Sequence, residues 1–240
     1  MAKIPGYIPL DPQTVAFQAV CLGAALQGER LVSEYIYDSK AKKAPKPNSK
    51  YWVENQKIIC FALSHEMKKY LKRPIRFNTN DPAINSCWAV DQLAIYLWAL
   101  DKLEQKPLVE VSFSKEDLCA KIPFQGNLNG FIDSAQLRSL EEMYLLEQVL
   151  DLYTYRIDLL DFGPEFDDHY KDRILKRGRK LFESGFLVRQ PIDDLEYEGQ
   201  QLGDMSTEAL EELEEVVVRR TQALFFVFGK MRSKNSLSST

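Results

Sequence analysis

Between Trp88 and Leu103 the chain reads WAVDQLAIYLWALDKL, and no polar residue interrupts it from Leu93 to Leu100. A helix that is apolar on every side has no face to offer water and must be buried. This stretch is expected to be a central helix, ended by Pro107, on which the other helices pack. Asp91 lies inside it, three residues after Trp88, four before Ile95 and seven before Trp98. At helical spacing its carboxylate shares a face with bulky apolar side chains.

The same periodicity predicts helices elsewhere. Asp11-Pro12 pairs a good N-cap with a residue suited to the first turn. It opens a helix with Val15, Ala16, Ala19, Val20, Leu22 and Leu26 on one broad face. Gly23 is expected to weaken that helix and Gly28 to stop it. Leu31 to Tyr37 is apolar enough to dock as another short helix, and Tyr51 to Leu71 reads as a helix that breaks at Leu63-Ser64. Ser114-x-x-Asp117 and Ser139-x-x-Glu142 are capping boxes. The first starts a short helix to Ala120. The second starts a long one to about Asp161, with a stripe of Met143, Leu146, Leu150, Tyr153, Ile157 and Leu160. Phe166 to Ser184 is amphipathic and stopped by Gly185. A last helix runs from Ser206 or Thr207 to Phe228 and ends in ALFFVF, apolar all round.

Leu108 to Phe113 alternates as a short strand does. Arg73 to Asn85, Pro123 to Gly130 and the acidic Pro191 to Asp204 read as loops. The pattern therefore predicts a mainly α fold: a single globular multi-helix domain over 1–240, built around a buried central helix, with at most one or two short strands. A flexible basic loop is expected over 39–50 and a disordered tail over 233–240.

Composition narrows the function classes. A chain of 240 residues, 45% of them hydrophobic, can bury a core without disulfides or a structural metal. The net charge of −4 argues against nucleic acid as the main partner. RNA binding through Lys40 to Lys50 and a basic helix is the weakest of the functional readings. Cys21, Cys60, Cys87 and Cys119 form no CxxC and read as reduced thiols of a cytoplasmic protein. The start, MAKIPGYIPLDP, lacks the apolar core of a secretory signal, and no apolar run reaches the roughly 20 residues of a membrane span. No membrane partner is expected.

Catalytic chemistry finds little purchase. There is no GxSxG, HExxH, Walker loop or GxGxxG. Of the two histidines, His65 lies on a polar helix face. His169 follows Glu165, Asp167 and Asp168, near Asp158 and Asp161, a set with metal-binding chemistry. The same acids at a helix start serve as caps and dipole partners, and that reading is preferred. No catalytic residue, metal or other cofactor is assigned.

The informative charges are those on apolar stripes. Arg156 lies four residues after Leu152 and seven after Val149. Arg220 lies three after Val217, seven after Leu213 and four before Leu224. Buried charges are costly unless paired. One reading pairs these arginines with Asp91, Glu142 or Asp151 to set helix register. The other makes them line a pocket for an anionic small molecule, which Arg grips bidentately. Two outer faces are charge-segregated: Lys171, Arg173, Lys176, Arg177, Arg179 and Lys180 on one helix, and Glu208, Glu211, Glu212, Glu214 and Glu215 on the last. Either can be a solvated face or a docking surface.

Several stretches together resemble an uncharacterised family, the domain of unknown function numbered forty-two seventy-two. They are DPQTVAFQAVCLGAAL (Asp11 to Leu26), CWAVDQLAIYLWAL (Cys87 to Leu100), LRSLEEM (Leu137 to Met143), LYTYR (Leu152 to Arg156) and VVVRRTQALFFVFG (Val216 to Gly229). Where that pattern has a Glu before the closing arginine, this chain has Arg219. The resemblance implies one mostly helical domain and supplies no activity. The functional expectation is a non-catalytic cytoplasmic domain that binds a protein partner, in the manner of an immunity or antitoxin-like protein. The alternative is an anion-binding protein or enzyme built on Arg156 and Arg220.

Overall fold

The computed structural model describes residues 8–20, 22–23, 26, 86–124 and 127–229, with 86–88, 129 and 164–169 described by their backbone only. The expected elements Leu31–Tyr37, 39–50, Tyr51–Leu71, Arg73–Asn85 and 233–240, together with His65 and the His169 side chain, lie outside the described residues. The described chain is mainly α, with one two-stranded sheet. Two compact units divide it. One draws on Met1–Leu10, Leu103–Ser112 and Leu137–Thr240, the other on Asp11–Lys102 and Phe113–Gln136.

The second unit holds α1 (12–20), α2 (Ser86–Ala99), α3 (Lys115–Ala120) and α4 (Leu128–Asp133). Asp11 caps α1, its carboxylate accepting from the Thr14 N–H at 3.2 Å. In α2 every residue from Leu93 is buried, as is Leu100 beyond it, and Trp98 has no exposed surface, so this stretch is dry as its sequence requires. The helix stops at Ala99, well before Pro107. Asp101 adopts a left-handed φ of 56°, its N–H donates to the Trp98 carbonyl at 3.0 Å, and the Lys102 N–H donates to Leu97 at 2.8 Å. Those two bonds form a Schellman stop, made by Asp where Gly is usual.

Helix α3 packs on α2 and is capped by Ser114, as its sequence predicts. The stretch read as a loop over Pro123–Gly130 instead contains the start of α4, because the Asn127 side chain accepts from the Gly130 N–H at 2.8 Å and caps a turn there. Gly23 has a packing role: a Cβ there would stand 2.5 Å from Ile122 Cδ1 and 3.0 Å from Phe124 Cζ. Its smallness lets the backbone approach these side chains. The buried Cys119 thiol lies 3.7 Å from the Gly23 carbonyl.

The first unit is built on α5 (Leu140–Phe162), against which both α6 (Pro164–Glu183) and α7 (Thr207–Val227) pack. Ser139 starts α5, accepting from the Glu142 N–H at 3.1 Å while its hydroxyl donates to the Glu142 carboxylate at 3.0 Å. The stripe Met143, Leu146, Leu150, Tyr153 and Ile157 is buried. Gly163, at φ 93°, turns the chain into α6, and Gly185, at φ 70°, ends α6. The Lys106 ammonium donates to the Gly185 carbonyl at 2.7 Å and sits 4.3 Å from the Phe186 ring centre. A cation there favours the negative end of α6.

Between α6 and α7 the segment read as acidic loop carries β1 (Glu196–Tyr197), antiparallel to β2 (Gln200–Gln201), then a 3-10 turn, Leu202–Asp204. Glu198 and Gly199 both take positive φ, which a two-residue hairpin turn of this hand needs. The strand expected over Leu108–Phe113 is absent. That segment turns instead, the Val111 N–H donating to Leu108 at 2.9 Å, and its carbonyls are turned toward Arg220.

Helix α6 approaches the 186–195 segment at Gly178, where a Cβ would stand 2.7 Å from the Pro191 ring and 3.4 Å from Leu195. Alanine ordinarily favours a helix interior by about 1 kcal/mol over glycine. Here the clash with a ring atom dominates, and Gly178→Ala is expected to lower stability by about 1–3 kcal/mol in urea denaturation.

Candidate functional site

The buried charges resolve into internal partnerships. Arg156 leaves α5 toward the 186–205 segment and is 1% exposed. Its Nε donates to Asp194 Oδ1 and its Nη2 to Oδ2, both at 2.7 Å, a bidentate pair with Asp194 3% exposed. The same carboxylate accepts the Leu195 N–H on Oδ1 at 2.7 Å and the Gly203 N–H on Oδ2 at 3.0 Å. Both oxygens thus have two donors. A Cβ on Gly203 would stand 3.1 Å from Asp194 Oδ2 and 3.4 Å from Arg156 Nη2, so glycine there keeps the cradle open.

Asp194 is a partner the sequence reading missed. Glu142 is fourteen residues behind Arg156 on the same helix, about 21 Å away along its axis. Asp151 is five residues behind it, off the i±3 and i±4 positions that meet on a helix. Neither can reach. Glu142 instead lies 3.5 Å from Arg138, whose Nη2 donates to the Leu103 carbonyl at 3.2 Å. Asp151, exposed, pairs with Arg177 of α6 at 2.7 Å, and Gln148 accepts from the same guanidinium at 2.6 Å. Asp91 is buried on α2. The only signal for Asp194 was its place directly before an apolar residue, Leu195, in a segment rich in acidic side chains.

Arg220, 3% exposed, takes a different class of partner. Its Nη1 donates to the Leu108 carbonyl and lies 3.5 Å from those of Pro107 and Val109, while its Nη2 donates to Val111 at 2.8 Å. The guanidinium gathers the carbonyls of a turn that has no ladder to satisfy them. Neighbouring Arg219 is also buried and pairs with exposed Glu215 one turn back at 2.9 Å.

A small cleft opens between Glu110, Tyr153, Arg189 and Glu196, with room for about one water molecule. The Tyr153 hydroxyl lies 2.7 Å from the Glu196 carbonyl and 3.0 Å from Glu110 Oε1, and Arg189 pairs with the Glu196 carboxylate at 2.7 Å. Burial, and then the Glu110 charge beside it, push the Tyr153 phenol well above its ordinary range. Burial does the same to Tyr96. Among the described residues no group of three or more His, Cys, Asp and Glu is placed to hold a metal, and no helix is long and apolar enough to cross a membrane.

The outer faces of α6 and α7 differ from this interior. On α6, Arg173, Lys176 and Lys180 are exposed, with the half-buried Arg177 on their flank. Arg173 lies 5.8 Å from the Tyr170 ring, which itself meets Tyr155 edge-on at 6.1 Å. Lys171 is half-buried, and Arg179 is exposed with its Nε 3.5 Å from the Pro191 carbonyl. On α7, Glu208, Glu211, Glu212 and Glu215 are exposed. Hydrogen bonds from its own backbone and from Ser206 hold the Glu208 carboxyl below the usual range. No protein-family model matches the chain, and neither does any curated protein or solved structure.

Three outcomes follow from the interior chemistry. Asp194→Ala strands a buried guanidinium and should lower stability by about 3–5 kcal/mol. The apolar double replacement Arg156→Met/Asp194→Leu should remain destabilised, because the buried Leu195 N–H loses its acceptor at about 1–3 kcal/mol. A double variant as stable as wild type would refute that account. Tyr153, with its folded value above the ordinary 10.0, binds its proton more tightly in the native state. Its contribution is fully present below pH 10 and is lost as pH rises through the folded value. Unfolding free energy measured against pH should fall on the alkaline side, and less steeply in Tyr153→Phe.

Proposed function

We propose that this chain is a non-catalytic protein-binding domain, the role an immunity or antitoxin-like protein fills by occupying its target. The observation that carries this reading is a division of labour among its charges. The buried arginines are engaged inside the fold, Arg156 by a carboxylate and Arg220 by backbone carbonyls. The exposed ones, Arg173, Lys176 and Lys180 on α6 and Glu208, Glu211 and Glu212 on α7, make no ion pair among the described residues. Charge held out to solvent on one face of a helix sets partner choice and on-rate. Phe182, Val188 and Ile192, exposed at the end of α6 and on the segment after it, add apolar surface to the first unit.

The anion-binding alternative draws no support from Arg156, whose Nε and Nη2 already hold Asp194 at 2.7 Å. A ligand would have to displace a carboxylate tied by two further backbone bonds.

Charge reversal tests the reading. Tagged wild-type chain expressed in its own cells should retain a partner identifiable by mass spectrometry. The variant Arg173→Glu/Lys176→Glu/Lys180→Glu should lose that partner while melting within a few degrees of wild type. Equal capture by both proteins would remove the basic face from the account. A thermal-shift screen with phosphates, nucleotides and small carboxylates should be flat, since a true ligand stabilises by mass action. A clear shift abolished by an Arg220 substitution would instead favour the anion reading.

A further inference from the structure

The exposed charges of α6 and α7 share one spacing. Arg173, Lys176, Arg177 and Lys180 fall at i, i+3, i+4 and i+7, and so do Glu208, Glu211, Glu212 and Glu215. In a helix such residues form one stripe, here about 10 Å long in each case. The two helices are 20 and 21 residues long, so each stripe has helix beyond it on both sides or at its open end. Both helices pack against α5. The basic stripe spends one member, Arg177, on Asp151 of α5, and the acidic stripe spends one, Glu215, on Arg219 of its own helix. Three charges of each sign remain without an ion pair among the described residues, namely Arg173, Lys176, Lys180 and Glu208, Glu211, Glu212.

We propose that the occupant of these faces is a second copy of the chain, with the basic stripe of α6 in each copy lying against the acidic stripe of α7 in the other. The inference rests on the protein-binding reading above and names its partner. A two-fold interface must be self-complementary, each surface finding on its partner what it lacks itself. This chain carries both signs at one period on two helices of one compact unit. Pairing of like stripes is opposed by repulsion, so the α6-on-α7 arrangement is the one that neutralises both. Exposed pairs are individually weak and salt-sensitive, so the dimer is a loose, salt-labile one.

Sedimentation velocity of the full chain tests this. At about 0.1 M salt the mass should rise with concentration from 27.7 kDa toward twice that value. At about 1 M salt, where the screening length falls from about 10 to about 3 Å, the dissociation constant should weaken at least about tenfold. Arg173→Glu/Lys176→Glu/Lys180→Glu and Glu208→Lys/Glu211→Lys/Glu212→Lys should each be monomeric. Mixed one to one, they should form a heterodimer, because every contact then joins opposite signs again. Circular dichroism and melting establish that both variants are folded before mixing. The proposal is overturned by a wild-type chain that stays monomeric at every concentration, by a dimer indifferent to salt and reversal, or by folded variants that fail to associate when mixed. A monomeric wild type whose cellular partner is still lost on reversing α6 would sink self-association and leave the protein-binding reading standing.

Discussion

The bidentate contact between Arg156 and Asp194 is the constraint on which the first unit depends. It joins the middle of α5 to a segment with little regular structure, a short hairpin and one 3-10 turn. Such a segment has few ladder bonds to hold its shape, so its position has to come from elsewhere. Asp194 supplies it by accepting two guanidinium donors and two backbone N–H groups at once. Burying both ions is expensive, and the expense is offset only because all four contacts have good geometry. The ion pair is therefore best understood as a fixture of position: it decides where Pro191 meets Gly178 and where the hairpin meets Tyr153.

Arg220 solves a related problem by a different route. The Leu103–Ser112 segment crosses the first unit without pairing in a sheet, and a buried carbonyl without a donor is costly. One guanidinium on α7 serves the carbonyls of Leu108 and Val111 and lies close to those of Pro107 and Val109. Lys106, at the start of the same stretch, serves the end of α6 through Gly185. Cationic side chains thus tie loop backbone to helix at both places. Arg156, Arg219 and Arg220 thus each have a partner inside the first unit, whereas Arg173, Lys176 and Lys180 of α6 and Glu208, Glu211 and Glu212 of α7 are exposed.

Much of the helical layout was readable in advance. Ser114 and Ser139 each start the helix that their spacing announces, Ser206 caps the last helix at one of its two expected starts, and Gly185 ends α6 as expected. These signals are local: a side-chain oxygen either reaches the N–H three residues on or it does not. The dryness of Leu93–Leu100 was equally legible, since no rotation of that helix offers water a polar side. The misreadings share a cause. Alternation over Leu108–Phe113 resembles a strand, yet a strand needs a neighbouring strand, and the donor that met these carbonyls lies more than a hundred residues further on. Asp101 ended α2 in a conformation that glycine more often takes, and Asn127 opened α4 inside a stretch rich in turn-forming residues.

By itself, then, the sequence determined the mainly α class, the starts of every described helix but α4, the buried status of Arg156 and Arg220, and the segregation of basic and acidic residues on two outer faces. Periodicity and capping act over a few residues, so one dimension is enough to carry them. The partners of the buried charges were decided only in the tertiary structure. Asp194 lies 38 residues from Arg156, and the Leu108 carbonyl lies 112 residues from Arg220. Each contact depends on how helices pack and where loops cross. A residue's spacing shows that it needs a partner; only the packed chain brings that partner within reach.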